Sequence, residues 1–234
     1  MIKHLLISFL ALSITATAQA GVIHGNIIEN SPLPTTLKQN FGPESDSEIL
    51  LFTEKEDYTL LSNLDVDYKG STLDAGFISE GTKVNSYFFH FDAVGSEYDV
   101  ASIEASGIYR FDTEILGIIW SGTRPAGQQG TPGDPGWAPS SNFLDVSDTI
   151  FKLSGVDYAT GEEGRGLEPE SAFTLNQSRD IISASGRELN FTLWSKPIYA
   201  EQFRVITAAK VPEPSTLVLF GAAALCLLNL RRVS

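Results

Sequence analysis

The chain has 234 residues, 42% of them hydrophobic, and a formal charge of −13 from 29 acidic and 16 basic residues. So acidic a surface repels nucleic acid and anionic lipid, and an aromatic share of 10% excludes disorder of the whole chain. Its single cysteine, Cys226, excludes a disulfide framework.

The first 20 residues read as a signal peptide. Lys3 supplies the positive n-region and residues 5–14 form a short apolar stretch. Ala18 and Ala20 are the small residues a signal peptidase requires, so cleavage is expected before Gly21. Residues 21–47 are polar and carry Pro32, Pro34 and Pro43, which predicts an irregular segment lying on the domain that follows.

From residue 48 to 210 the hydrophobic period is two. Asn85, Tyr87, Phe89 and Phe91 fall on one face of a strand, and Val84, Ser86, Phe88 and His90 on the other. Ile103, Ala105, Gly107, Tyr109 and Phe111 share a face in the next strand. Leu189, Phe191 and Leu193 alternate with Asn190 and Thr192, and Phe203 and Val205 with Arg204 and Ile206. The runs 49–52, 115–120, 149–153 and 181–183 read as more buried strands. Such spacing predicts an all-β fold: one antiparallel β-sandwich or jelly roll, with a closed barrel as the alternative. Residues 121–142 form the longest interruption. There Gly127, Gly130, Gly133 and Gly136 recur every third residue, too briefly for a collagen helix, so the segment reads as a loop.

The chain ends on Pro212-Glu213-Pro214, an apolar run over 216–230, and Arg231-Arg232. A helix over that run would span about 22 Å against a hydrocarbon core of about 30 Å. Arg231 and Arg232 would stay cytoplasmic as a basic stop. Pro212 and Pro214 fix φ and remove two N–H donors, which keeps the segment extended and open to a protease. In its order of Pro-Glu-Pro, hydrophobic helix and basic stop, the region 211–234 resembles the PEP-CTERM sorting tail of Gram-negative bacteria. The resemblance implies that an exosortase, a membrane protease, recognises Pro212, Glu213 and Pro214 and cuts nearby. Export, transient inner-membrane anchoring and delivery to the envelope, outer surface or extracellular matrix follow from it. The stretch from Val84 to Asp92, that from Phe111 to Ile118 and that from Phe203 to Thr207 resemble the exported β domains of such proteins, which implies no particular site.

Without Lys3, Arg231, Arg232 and Glu213, the body keeps 13 basic and 28 acidic residues, a formal −15. Catalytic signatures are sparse. His24 lies just past the expected cut, and His90 alternates with Phe88, where a hydrogen-bonded structural imidazole is the simpler reading. No Gly-x-Ser-x-Gly elbow occurs, and two histidines with no body cysteine do not make a zinc site. Paired carboxylates could serve a glycosidase, but 28 acids always offer some pair. Hard-oxygen clusters suited to calcium are Asp65 with Asp67 and Asp145 with Asp148, the latter placed at the end of the long loop; solvated acids are the simpler reading, and no cofactor is expected. Trp120, Trp137 and Trp194 are the candidates for an aromatic ligand platform. The reading is a non-enzymatic, structural or adhesive exported protein, with extracellular polysaccharide as a possible partner. The rival is a secreted carbohydrate-binding module or glycan-acting hydrolase.

Overall fold

The computed structural model describes residues 20–29, 33–38, 42–70, 75–95, 103–120, 143–159, 167, 180–195 and 200–210. The segment expected to be a signal peptide, up to residue 19, the whole of the long loop 121–142 with Trp137, and the tail from 211 onward lie outside the described residues.

The described residues are mainly β. In chain order the elements are β1 (Gly21–Gly25), β2 (Ile27–Glu29), β3 (Ile49–Thr59), β4 (Leu64–Val66), β5 (Tyr68–Lys69), β6 (Gly76–Ile78), β7 (Lys83–Asp92), β8 (Ile103–Arg110) and β9 (Ile115–Trp120). Then come α1 (Phe143–Phe151), β10 (Ile181–Ser185), β11 (Glu188–Ser195) and β12 (Ala200–Ala208). Four strands form a sheet in the order β1-β8-β11-β10, and six form a second in the order β2-β3-β7-β12-β9-β5. A small hairpin sheet pairs β4 with β6. Pairing is antiparallel throughout except for β2 on β3.

The period-two reading locates the main core. Phe89 and Phe91 from β7, Phe203 and Val205 from β12, and Ile49 and Leu51 from β3 meet Ala105 and Tyr109 from β8 and Leu189, Phe191 and Leu193 from β11. Phe89 stacks on Phe203 with ring centroids 4.6 Å apart, and Phe191 meets both rings edge-on. Gly107 is required here: a Cβ on it would stand 2.8 Å from Ile27 and 3.0 Å from Phe191. The inner faces of the two sheets thus share one apolar layer.

A second layer of apolar side chains covers the other face of the six-stranded sheet. Leu50, Phe52, Val84, Phe88, Ile119 and Ile206 point there, against Leu144 and Phe151 of α1, Tyr158, and Leu64, Val66 and Ile78 of the small hairpin. The six-stranded sheet is therefore buried on both faces. That explains why every residue of β12 up to Thr207 is buried, where a two-layer sandwich would leave alternate positions wet.

Three expectations are corrected. Residues 21–29 are not irregular: β1 pairs with β8 and β2 runs parallel to β3. The run at 149–153 is not a strand, because Phe143–Phe151 is helical and places Leu144, Ser147, Asp148 and Phe151 on its buried side. Residues 181–183 do not form a buried strand either. β10 is the edge of the four-stranded sheet, and its residues alternate between exposed and half-buried.

Candidate functional site

The largest polar assembly lies beneath α1. Arg204 projects from β12 away from the sandwich core and is fully buried. Its Nε and Nη2 donate to the Glu54 carboxylate at 2.6 and 2.7 Å, and Nη2 also donates to Asp148 at 2.8 Å. Nη1 donates to the Ser147 hydroxyl and, at 3.4 Å, to the Leu144 carbonyl. The Ser86 hydroxyl and the Tyr158 phenol complete Glu54, donating at 2.6 and 2.9 Å. The guanidinium carbon lies 5.2 Å from the Phe88 ring centre and 5.5 Å from that of Phe151. Burial by itself would lower the Arg204 pKa, but Glu54 and then Asp148 outweigh it and hold the guanidinium charged. Burial, followed by the Glu54 charge, pushes the Tyr158 phenol well above its ordinary value. An arginine so completely paired offers nothing to a substrate; the assembly docks the outer layer onto the sheet.

This placement decides the Asp145–Asp148 candidate. Asp148 faces Arg204 inside the structure, so a calcium ion there would meet a guanidinium. Asp145 sits instead in the first turn of α1, where a carboxylate complements the helix dipole. Of the other candidate pair, Asp65 is exposed on β4, and Asp67 accepts the Trp120 backbone N–H through Oδ2 at 2.9 Å. Among the described residues no group of three or more His, Cys, Asp and Glu side chains is placed to hold a metal ion.

The tryptophans divide between surfaces. Trp120 belongs to the main core and stands edge-on to Tyr68 at 4.4 Å. Trp194 points to the opposite side of β11 from Leu193, on the outward face of the four-stranded sheet, and is half-buried. Its backbone N–H donates to the buried Asp180 at 2.9 Å. Tyr68, Trp120, Leu167, Asp180 and Ile182 line a half-open pocket of about 10 Å³, room for one water and not for a sugar ring. Burial, then the Asp67 charge, raises the Tyr68 phenol. A wider hollow of about 190 Å³ lies on the outer face of the four-stranded sheet, lined in part by His24, Ser106, Ile108, Ser183, Asn190 and Thr192. His90, as its place in the sequence suggested, is buried and structural: Nδ1 lies 2.9 Å from Gln202 Nε2, which also donates to the Leu37 carbonyl at 2.7 Å.

The expected signal-peptide boundary and the start of the sorting tail come together on one carboxylate. The Ala20 backbone N–H donates to Oδ1 of Asp112, in the turn between β8 and β9, and Lys210 pairs with Oδ2 of the same carboxylate. Ala20 precedes the expected signal-peptidase cut, and Lys210 follows the last strand. The Thr113 hydroxyl donates to the Ala208 carbonyl, and the Ala208 N–H donates to the Glu114 carbonyl at 2.8 Å, which fixes the chain's exit against this turn.

Residues 210–233 match the PEP-CTERM protein-sorting motif. The match starts at Lys210 and covers about a tenth of the chain, and it contains Pro212, Glu213, Pro214, Arg231 and Arg232. The chain carries a PEP-CTERM sorting tail, which implies export, recognition by an exosortase and transient anchoring at the membrane before cleavage. No curated protein and no solved structure matches the chain.

Sequence reasoning missed Arg204, Glu54, Asp180 and Asp112. The first carried a usable signal, since a lone arginine inside the apolar run of 203–206 cannot be buried without carboxylate partners. For Asp112 no local signal exists, because its partners are remote in sequence.

Proposed function

We propose that the protein is a non-enzymatic structural or adhesive component of the cell envelope or biofilm matrix, delivered by exosortase-dependent sorting. One observation carries this reading: the sorting motif begins at Lys210, two residues past the end of β12, so every described strand lies ahead of the tail. The formal charge of −15 on 13 basic and 28 acidic residues supports a soluble body that stays clear of anionic membrane surfaces once released. Signal peptidase and an exosortase-like protease are its processing partners.

The test is fractionation of a tagged protein in a host with the sorting machinery. Wild type is expected outside the inner membrane, in the outer-surface or matrix fraction. Pro212→Ala with Pro214→Ala restores two backbone donors and is expected to leave uncut protein in the inner membrane. Recovery of wild type only from the soluble periplasm would sink the matrix reading.

The alternative, a carbohydrate-binding module, is favoured by the hollow on the four-stranded sheet, whose lining sets the hydroxyl and amide groups of Ser106, Ser183, Asn190 and Thr192 beside apolar Ile108 and Ile181, a mixture that suits a neutral sugar chain. Affinity electrophoresis through neutral polysaccharide gels checks it: a retardation that Asn190→Ala with Thr192→Ala abolishes would favour this reading over a purely structural role. A glycan hydrolase would require two carboxylates facing each other across a cleft.

A further inference from the structure

We propose that Asp112 is the counter-ion for the amino group that signal-peptide removal creates at Gly21, and that it then holds both ends of the mature body in one ion cluster with Lys210. The inference rests on the expected cut between Ala20 and Gly21. Hydrolysis there adds water across the Ala20–Gly21 peptide bond. The departing peptide keeps a carboxylate, and the Gly21 nitrogen takes up a proton to become an ammonium.

The geometry before the cut already supplies the acceptor. Oδ1 of Asp112 accepts the Ala20 N–H, while Oδ2 pairs with Lys210. Cleavage removes the amide donor and leaves Oδ1 without it. Successive backbone nitrogens lie about 3–4 Å apart, so the new ammonium starts within one residue's reach of the vacated oxygen. β1 keeps it there, because Gly21 is in register with Arg110, two residues before Asp112. An uncharged amide donor is thereby replaced by an ammonium, which sets a full positive charge against the ionised carboxylate.

Asp112 is suited to this role by its surroundings. Its side chain is 24% exposed, so the carboxylate is neither fully screened nor isolated. Lys210, followed by the Ala20 N–H and Arg187, holds its pKa below the ordinary carboxylate value despite partial burial. The phenols of Tyr87 and Tyr109 also feel its charge; burial raises both above an ordinary value at which they are already neutral at physiological pH. The cleaved end therefore joins an already ionised acceptor, and Lys210 ties the same acceptor to the residue at which the sorting motif begins. Processing at the first boundary stiffens the root of the second.

The test uses the exported protein purified from a host that carries out both cuts. Amino-terminal sequencing comes first, and a start other than Gly21 overturns the proposal through its premise while leaving the sorting reading intact. With Gly21 confirmed, the α-amino group is labelled with an amine acylating reagent near pH 8, and its rate is followed by mass spectrometry against an unstructured peptide of the same first five residues. An ammonium paired with Asp112 is expected to label several-fold more slowly than the peptide. Asp112→Asn is expected to restore the peptide rate, and Lys210→Gln to slow labelling further, because the carboxylate is no longer shared. Equal rates for wild type and peptide overturn the proposal, as does Lys210→Gln labelling faster than wild type. The lysine variant keeps the test decisive where the aspartate variant folds poorly.

Discussion

Replacing Arg204 by methionine tests the docking of the outer layer most directly. The substitution keeps the aliphatic stem and removes a guanidinium that is wholly buried. It deprives Glu54, whose side chain is 0% exposed, and Asp148, at 10%, of their cation. Removing one partner of a buried ion pair costs about 3–5 kcal/mol, because the remaining charge keeps its desolvation penalty without the Coulomb return. A domain of this size shifts by roughly 2–4 °C per kcal/mol, so Arg204→Met is expected to lower Tm by about 6–20 °C. The remedy is as informative as the damage. Arg204→Met with Glu54→Leu and Asp148→Asn removes the stranded charges, and apolar replacement of a buried ion cluster is often neutral. The triple variant is therefore expected to recover most of the loss. The assay is reversible thermal and urea unfolding at pH 7, with amide hydrogen exchange resolved to α1. A single variant within about 1 kcal/mol of wild type would refute the reasoning, since the pair could not then be holding α1 down. A triple variant no better than the single would show that specific hydrogen bonds to Ser147 and the Leu144 carbonyl matter more than charge compensation.

Three further outcomes are expected. Gly107→Ala forces a methyl to within 2.8 Å of Ile27 between the sheets, and should destabilise by about 1–3 kcal/mol in urea titration, whereas Gly81→Ala, with no neighbour within 4 Å but a φ of +79°, should show only backbone strain. Asp112 has a folded pKa below its ordinary 3.8, so its stabilisation is complete above that value and fades as pH falls through the lower folded one; wild type should lose more stability than Asp112→Asn in acid titration over that window, and parallel curves would contradict the pairing. Millimolar calcium should leave the melting curve unchanged relative to chelator, because Asp148 is paired with Arg204; a rise in Tm would reveal a cation site elsewhere.

Much of the strand pattern was legible in the sequence. β8 and β11 could be read with their faces because alternate positions differ in polarity: Phe191 points inward while Asn190 and Thr192 point out. α1 was misread because its inward positions Ser147 and Asp148 are polar, which breaks the apolar period at the very place where the helix meets Arg204. β1 and β2 were hidden by nearby prolines and by brevity, with β2 only 3 residues long. The layer over the second face of the large sheet was equally opaque. The run at 49–52 already read as a more buried strand, but nothing near Phe88 or Ile206 says that both sides of their strands are dry until Leu144 and Tyr158, far away in the chain, are brought over them. The sorting tail was readable because its chemistry is local and linear. The meeting of Ala20, Asp112 and Lys210 was not, because it exists only once the strands are in register.

The order of the six-stranded sheet has a consequence for the timing of export. β12 lies between β7 and β9, yet it is the last strand to be synthesised. Until it emerges, β3 and β7 have no bridge to β9 and β5, and both apolar layers stay open along that gap. Loop closure across such long separations is slow, and an unfinished sheet edge is exposed to aggregation. The motif match begins at Lys210, so when β12 has cleared the membrane the segment still in transit is the tail itself. Anchoring by the tail before cleavage thus leaves every described strand, β12 included, ahead of the tethered segment, so the sheet is free to close while the chain is still held.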